Sequence, residues 1–360
     1  MSNIITLLKS ILFILILTFL SFSSLQAQEC DCKSDVAFLV ERYKKDYSGF
    51  QDFKILHPDY EQQLKSFVKK SASTNDVLKC HQVIAELISY LDNGHVVFGA
   101  LEENPKFDEL YEDDDKDYYP SISFPNSQTA ILTIKTGNIE YKIDLDTLIQ
   151  AHQTRLDSIE HLIIDLRGNS GGGDDTYNNV LPFIYTNPII THGAYLWTSA
   201  NNISLFEKYV NNPNLPIETR QELENIVRKG KEYPNTFVLL GDSETDTLTI
   251  DMVKEFPNKV SILIDGECTS ATEEFLLKAK QSNKTTIYGY ESTGGALDYS
   301  NLNPVITPSG YWYATVPTTR SSRLPDNPVD PNGIEPDVLV GKDVNNLIEF
   351  VISQYKSAKE

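Results

Sequence analysis

Two short apolar runs, each leading through a turn into a helical pattern, constrain the fold of this chain more than any other feature. The first run spans residues 162–166 and precedes a glycine-rich loop. The second spans residues 260–264 and precedes the small and acidic residues 265–274. Short apolar runs bounded by turn residues are typical of buried strands, and strands that alternate with helices are typical of parallel pairing. The sequence therefore predicts a layered α/β core.

Apolar spacing elsewhere suggests how the rest of the chain is organised. We predict an N-terminal helical cap over residues 28–92, the α/β core over 93–342 and a C-terminal helix over 343–360. About residues 193–258 of the core read as a helical insertion, because two polar helical patterns flank a proline-containing break. Residues 102–117 read as a solvated acidic loop; Tyr118 occupies the place where a calcium loop beginning at Asp113 would need glycine.

The first 27 residues have the composition of a secretory signal peptide. Lys9 lies near the start, residues 11–20 are apolar, and small or polar residues lead to Ala27. The apolar run is short for a membrane span, so we expect cleavage and no stable span afterwards. The sequence predicts a secreted or periplasmic protein beginning at Gln28.

Charge and cysteine content restrict the partners and the compartment. The chain has 31 basic and 51 acidic side chains and a net charge of −20, which disfavours nucleic acid and anionic membranes as partners. An exported protein can carry disulfides. Cys80 can pair with either Cys30 or Cys32, and the sequence does not choose between them.

Ser270 lies where the second apolar run turns into a helical pattern. A serine at this place is usually an N-cap. The same geometry also presents a hydroxyl beside the unpaired N–H groups of a helix start, including that of Ala271, and so suits a nucleophile with an oxyanion donor. Cys268 is the alternative nucleophile; it precedes the helix start, which favours a small buried residue instead.

Three further blocks occur with this serine turn. Residues 91–98 read Leu-Asp-Asn-Gly-His-Val-Val-Phe, residues 162–173 contain the strand and the loop Gly-Asn-Ser-Gly-Gly-Gly, and residues 330–337 read Asp-Pro-Asn-Gly-Ile-Glu-Pro-Asp. In this order they resemble the tail-specific (C-terminal-processing) and tricorn-type serine peptidases, over roughly Leu87 to Val340. The resemblance implies a crotonase/ClpP-like layered α/β core. The segment between His95 and Asp165 is too short for a PDZ domain of roughly 80–100 residues, so we expect none.

The resemblance is closer to the tricorn-like branch and implies a triad. Ser270 would be the nucleophile, His95 its base and Asp330 the acid that orients the imidazole. Asp330 stands where that branch has glutamate, so Glu335 and Asp337 are alternatives. The processing branch uses a lysine base instead, but Gly295 occupies the lysine position of this chain.

The resemblance also assigns the oxyanion hole. One donor would be the Ala271 N–H and the other the N–H of Gly171 or Gly172 in the glycine loop. That loop lacks the spacing of a phosphate-binding motif, and the histidines lack zinc-motif spacing, so no cofactor or metal is expected. Lys278, Lys280 and Lys284 are poorly placed to act as a base.

Together these patterns predict an exported serine endopeptidase that acts on peptide or protein substrates through an acyl-enzyme. Two alternatives remain open at this point. One is a catalytically silent peptide- or glycan-binding protein on the same fold, and the other is an esterase or acyltransferase.

Overall fold

The computed structural model describes residues 30–101, 118–213 and 215–357. The predicted signal peptide and the predicted acidic loop at 102–117 lie outside the described residues. Within the described ranges, no helix combines the length and the apolar character needed to cross a membrane.

The N-terminal segment forms the predicted helical cap. Its four helices are α1 (Cys32–Asp46), α2 (Phe50–Leu56), α3 (Tyr60–Ser71) and α4 (Val77–Leu91). Apolar side chains at helical spacing, such as Val36, Leu39 and Leu87, are fully buried between them. A disulfide between Cys32 and Cys80 joins α1 to α4 and resolves the pairing that the sequence left open, with Cys30 as a buried free thiol.

The described residues contain thirteen strands. In chain order they are β1 (Phe98–Ala100), β2 (Ser121–Ser123), β3 (Thr129–Thr133), β4 (His161–Asp165), β5 (Ile189–His192), β6 (Ala194–Trp197), β7 (Phe237–Leu239), β8 (Thr245–Leu248), β9 (Lys259–Ile264), β10 (Thr285–Gly289), β11 (Tyr299–Ile306), β12 (Trp312–Ser321) and β13 (Val338–Leu339). β5 and β8 pair only with each other.

Six strands form the predicted α/β core. Their order is β13-β10-β9-β4-β3-β2, parallel throughout except for β2 at one edge. Helices cover both faces, which is why the strands read as continuous apolar runs. Leu162 and Ile164 pack with α5 (Lys142–Leu156) and α9 (Ala271–Ala279), whereas Ile163 points the other way and packs with α10 (Leu347–Ser357). The predicted fold class is confirmed.

A second sheet of five strands is antiparallel and lies against the helical cap. β12 is its central strand, with β11 along one edge and β1 and β6 along the other, and β7 follows β6. Trp312, Ala314 and Val316 of β12 are fully buried in one core with the cap helices. Cap and second sheet therefore form a unit distinct from the parallel core.

The segment at about 193–258 differs in part from its predicted helical character. It contains helices α7 (Ala200–Val210) and α8 (Ile217–Glu232), but also β6, β7 and β8. Strands of three or four residues are too short to reveal a period in the sequence. After the glycine loop the chain forms a short 3₁₀ turn (Asp174–Tyr177) and then α6 (Leu181–Ile184).

Candidate active site

Ser270 occupies a strained turn between β9 and α9. Its backbone has φ 58° and ψ −125°, in a region that side-chain-bearing residues rarely adopt. Strain of this kind at a strand–turn–helix junction is typical of a presented nucleophile. The strained turn makes Ser270 a candidate nucleophile as well as a cap of α9.

Glu273 holds this turn in place. Its carboxylate is fully buried and accepts hydrogen bonds from the Ser270 N–H (3.1 Å) and the N–H groups of Gly295 and Ala296 (both 2.9 Å). The Thr293 hydroxyl donates a fourth, at 2.5 Å. Burial raises the pKa of Glu273, and the donors oppose that rise.

His95 reaches Ser270 from the other side of the site. Its Nε2 lies 3.0 Å from the Ser270 Oγ, and its Nδ1 lies 2.6 Å from the backbone carbonyl oxygen of Tyr299. Because a carbonyl oxygen can only accept, Nδ1 carries the proton and Nε2 is free to accept from the serine hydroxyl. Burial lowers the pKa of His95, which favours the neutral imidazole that a base requires.

The structure differs from the sequence prediction at the third member of the triad. The single Nδ1–H of His95 is taken by the Tyr299 carbonyl, so no direct bond from His95 to Asp330 forms. The Asp330 carboxylate instead accepts from the backbone N–H groups of Leu297 (2.6 Å) and Asp298 (2.9 Å) and from the Asn93 side chain (3.0 Å).

Asp330 nevertheless connects to the histidine through Asn93. The Asn93 Nδ2 donates to Asp330, and its Oδ1 accepts the backbone N–H of His95 at 3.1 Å. Burial raises the pKa of Asp330 to about 7, although its two backbone donors favour the charged form. In the described part of the chain, the two alternative acids do not hydrogen-bond to the histidine. Asp337 accepts hydrogen bonds from Lys280 and from the Ile287 N–H, and the Glu335 side chain is exposed.

The glycine loop lies against the serine turn. The Thr272 hydroxyl donates to the Asn169 side chain at 2.9 Å, and that same Asn169 Oδ1 accepts the N–H of Gly171 at 3.0 Å. The Gly171 N–H is therefore occupied. Gly172 has φ +144°, and a Cβ there would overlap the backbone of Gly137, so no other residue fits.

The alternative nucleophile and the alternative bases have other roles. The Cys268 thiol is buried and donates to the Leu166 carbonyl oxygen at 3.1 Å, and burial raises its pKa to about 12. Gly295 has φ +69°, and a side chain there would overlap Pro331. A lysine therefore cannot occupy position 295, whereas Lys278 pairs with Glu274 and Lys284 binds a backbone carbonyl oxygen.

An open cavity of about 470 Å³ lies over the serine, and we name it the serine cavity. His95, Gly172, Ser270 and Ala271 line it together, so the predicted nucleophile, base and oxyanion donors face one space. Glu274 and Arg323 also line this cavity and pair with each other at 3.3 Å. Its volume is in the range of ligand pockets, about 300–1,000 Å³.

One group of possible metal ligands occurs among the described residues, away from this cavity. Cys30, Asp35 and Cys80 converge, but Cys80 is bonded to Cys32. A disulfide sulfur is a poor ligand compared with a thiolate. This group therefore does not form a metal site in the oxidised protein.

Two participants in the site were not assigned a role by sequence reasoning. Asn93 lies inside the Asp-Asn-Gly-His block, so its position was a usable signal. The Tyr299 contribution is a main-chain carbonyl, which every residue has, and so no residue type could reveal it.

Comparison with known proteins identifies the family. The sequence pattern of peptidase family S41 matches residues 128–340. No curated protein matches the sequence.

Solved structures are similar at low sequence identity and support the fold. A proposed peptidase from Parabacteroides merdae has a TM-score of 0.55 at 13% identity, with 89% of this chain and 96% of that chain covered. Mature CPAF complexed with lactacystin has a TM-score of 0.58 at 12% identity, covering 85% and 93%. The tricorn protease has a TM-score of 0.50 at 10% identity, covering 90% of this chain and 36% of that one.

The family pattern spans more than half of the chain, and the similar structures share its layered α/β architecture. The chain therefore belongs to peptidase family S41 and is a serine-type peptidase.

Proposed function

We propose that this protein is an exported endopeptidase in which Ser270 is the nucleophile and His95 the general base. The observation that carries the proposal is the 3.0 Å separation between His95 Nε2 and Ser270 Oγ, together with the Nδ1 contact that fixes the tautomer. A base must lie within about 2.6–3.2 Å of the proton that it removes.

The reaction follows from these positions. Ser270 Oγ attacks the carbonyl carbon of a peptide bond, and its proton passes to His95 Nε2. The imidazolium returns that proton to the leaving amine as the C–N bond breaks, which leaves an acyl-enzyme. Water then attacks the ester and His95 accepts its proton; His95 returns that proton to Ser270 Oγ as the C–O bond breaks, which releases the acid product and restores free Ser270.

The oxyanion is assigned to the N–H groups of Ala271 and Gly172. As the first residue of α9, Ala271 has an N–H that no carbonyl of its own helix can accept. The Gly171 N–H donates to Asn169, which favours Gly172 among the two predicted glycines. Each such donor contributes about 2.7–4 kcal/mol of transition-state stabilisation in serine peptidases.

Asp330 is assigned a positioning role in place of the direct contact. Its support comes from the bridge through Asn93 to the His95 backbone and from the two N–H groups just before Tyr299. The carboxylate thus holds both segments that orient the imidazole. The imidazolium itself is stabilised by the Tyr299 carbonyl dipole.

A fluorophosphonate probe tests the nucleophile. The mature protein should be labelled on the peptide containing Ser270, as identified by mass spectrometry. Ser270→Ala should lose the label, and Ser353→Ala, an exposed serine of the C-terminal helix, should keep it. Labelling that survives in Ser270→Ala would refute Ser270 as the nucleophile. Folded protein that is not labelled and cleaves no peptide would favour a binding protein.

Peptide and simple ester substrates then separate a peptidase from an esterase. We expect hydrolysis of internal peptide bonds in an unfolded protein such as casein, abolished in Ser270→Ala. Turnover of esters with intact peptides would contradict the endopeptidase assignment.

Export is a separate part of the proposal and rests on the composition of residues 1–27. The protein recovered from its native cell should begin at Gln28, as read by N-terminal mass spectrometry. A mature protein that retains Met1 would contradict export by this route.

A further inference from the structure

The helical insertion carries a second cavity next to the serine cavity. This cavity, of about 340 Å³, lies where α7 and α8 face each other, and we name it the insertion pocket. Phe206 and Tyr209 of α7 and Leu223 and Ile226 of α8 line it, with Leu240. Apart from Asn301, every lining side chain is aliphatic or aromatic.

The small core of the insertion leaves this pocket open. Leu196, Ile203, Phe206 and Val227 are buried there, whereas Leu223, Ile226 and Leu240 are only partly buried and Tyr209 is 45% exposed. Burying this open apolar surface under an apolar group of a ligand would make the free energy of binding more favourable.

The two cavities share lining residues on one strand. Asn301 and Leu302 of β11 line both the serine cavity and the insertion pocket. β11 begins at Tyr299, whose carbonyl binds His95. Strands rise about 3.3 Å per residue, so Leu302 lies at most about 10 Å along β11 from Tyr299; Asn301, with φ 55°, shortens this path.

Only the His95 ring separates the Tyr299 carbonyl from Ser270 Oγ, so the start of β11 lies beside the place of the scissile bond. An extended peptide that runs along β11 from there therefore brings a side chain about three residues from that bond to the insertion pocket. The edge position of β11 leaves room for this, because β12 pairs with only one side of it. Pro304 within β11 also fits an edge strand.

We propose that the insertion pocket is a substrate subsite that selects a large aliphatic or aromatic side chain about three residues from the cleaved bond. This inference rests on the proposed function of Ser270 and names the substrate class of the same site. The pocket walls give no charged partner to a polar or ionised side chain at that position, so such residues are disfavoured there.

Peptide pairs that differ at one position test the subsite. In each pair, two fluorogenic peptides are identical except that one has leucine and the other asparagine three residues from the cleaved bond. One pair varies the residue on the N-terminal side of that bond, and a second pair varies it on the C-terminal side. For the pair that varies on one side of the cleaved bond, kcat/KM of the wild-type protein should be about 10-fold to 100-fold higher for the leucine peptide than for the asparagine peptide. This is the range expected for burying one large apolar side chain.

Variants on one helix provide the matched control. Ile226→Asn lies in the pocket, and Ile217→Asn places the same change on the exposed face of α8, where Ile217 is 68% exposed. Ile226→Asn should bring the leucine-to-asparagine ratio close to one, while Ile217→Asn keeps the wild-type ratio. If Ile226→Asn is poorly folded, Tyr209→Ala replaces it, because Tyr209 lines the pocket and is partly exposed. Tyr233→Ala, which changes an exposed tyrosine outside the pocket lining, is the control for that variant.

Fluorophosphonate labelling and equilibrium binding separate the two proposals. In Ile226→Asn the labelling rate of Ser270 should stay within about 2-fold of wild type, since the pocket does not touch the serine. In Ser270→Ala protein, fluorescence anisotropy should still show the preference for the leucine peptide without turnover. Binding selectivity without labelling would retain the subsite and refute the nucleophile. Peptide cleavage with equal rates for leucine and asparagine on both sides, or unchanged ratios in the pocket variants, would refute the subsite.

Discussion

The two halves of the site are built differently. The nucleophile half, which comprises the serine turn 265–274 and the glycine loop 168–173, follows adjacent parallel strands β9 and β4. The base half, comprising His95, Asn93, Tyr299 and Asp330, is drawn from segments separated by up to 237 positions. Neighbouring strand ends place the nucleophile half locally, whereas the base half depends on how the helical cap and the second sheet dock.

This difference predicts different responses to mutation. Changes in the nucleophile half remove groups that contact the reacting atoms and should act mainly on kcat. Changes in the base half alter positions and should shift the pH dependence as well.

Gly172→Ala should reduce kcat by about 10²-fold to 10³-fold, the loss seen when one oxyanion donor is removed. The reason is steric, because a Cβ at this positive φ overlaps Gly137 and displaces the loop. Steady-state kinetics on a fluorogenic peptide provides the measurement. Gly241→Ala is the matched control, since Gly241 also has positive φ but open space around it. A folded Gly172→Ala protein with near wild-type kcat would refute the role of Gly172.

Asp330→Asn should reduce kcat/KM by about 10-fold to 100-fold, because leaving a buried donor unpaired costs about 1–3 kcal/mol. The new amide faces the Asn93 amide and breaks the bridge to the His95 backbone. Kinetics across the pH range checks this, with the exposed Asp326→Asn as control.

The same variant has a signature in stability. Since burial raises the pKa of Asp330 from 3.8 to about 7, the folded state binds more protons than the unfolded state between these values. The Asp330 contribution to the free energy of unfolding is therefore present at low pH and is lost as the pH rises towards 7. The free energy of unfolding of Asp330→Asn, measured by denaturation across this pH window, should not show that decrease. A dependence on pH as steep as that of the wild-type protein would contradict the raised pKa.

Tyr299→Phe should reduce kcat/KM by about 3-fold to 10-fold, the effect of losing one hydrogen bond of about 1 kcal/mol. The Tyr299 hydroxyl donates to Asp52 of α2 at 2.7 Å, and Arg320 donates to the same oxygen at 2.7 Å. This contact anchors the residue whose carbonyl orients His95. The partly exposed Tyr313→Phe serves as control on the neighbouring strand. Equal kinetics in both variants would show that the cap does not position the base.

The smallest expected effect is a small displacement of the acid limb in the pH profile of kcat/KM. Protonated His95 cannot accept from Ser270, so kcat/KM rises with pH through the pKa of His95. Because burial lowers that pKa below its usual 6.5, the acid limb should lie below pH 6.5. The rate of Ser270 labelling against pH gives the same quantity without a substrate. Because Asp330 also titrates near pH 7, the decisive profile is that of Asp330→Asn, in which this second group is absent. An acid limb at or above 6.5 in that variant would contradict the lowered pKa of His95.

The sequence predicted the nucleophile half better than the base half. The strands at 162–166 and 260–264 and the turn that presents Ser270 follow from local apolar patterning and turn residues, and they appear as expected at β4 and β9. The small strands β6 and β7 were missed because three or four residues carry no measurable period, and they join a sheet whose other strands are distant in the chain.

The sequence by itself determined the α/β core and the strand–turn–helix that carries Ser270, because both depend on residue types at short spacing; His95 was expected as the base only from the family resemblance. Only the tertiary structure decided that the Tyr299 carbonyl replaces Asp330 at the imidazole, that Cys32 rather than Cys30 pairs with Cys80, and that the Gly171 N–H is already taken. The physical reason is that a main-chain carbonyl or N–H is the same in every residue, so its partner is set by the docking of distant segments.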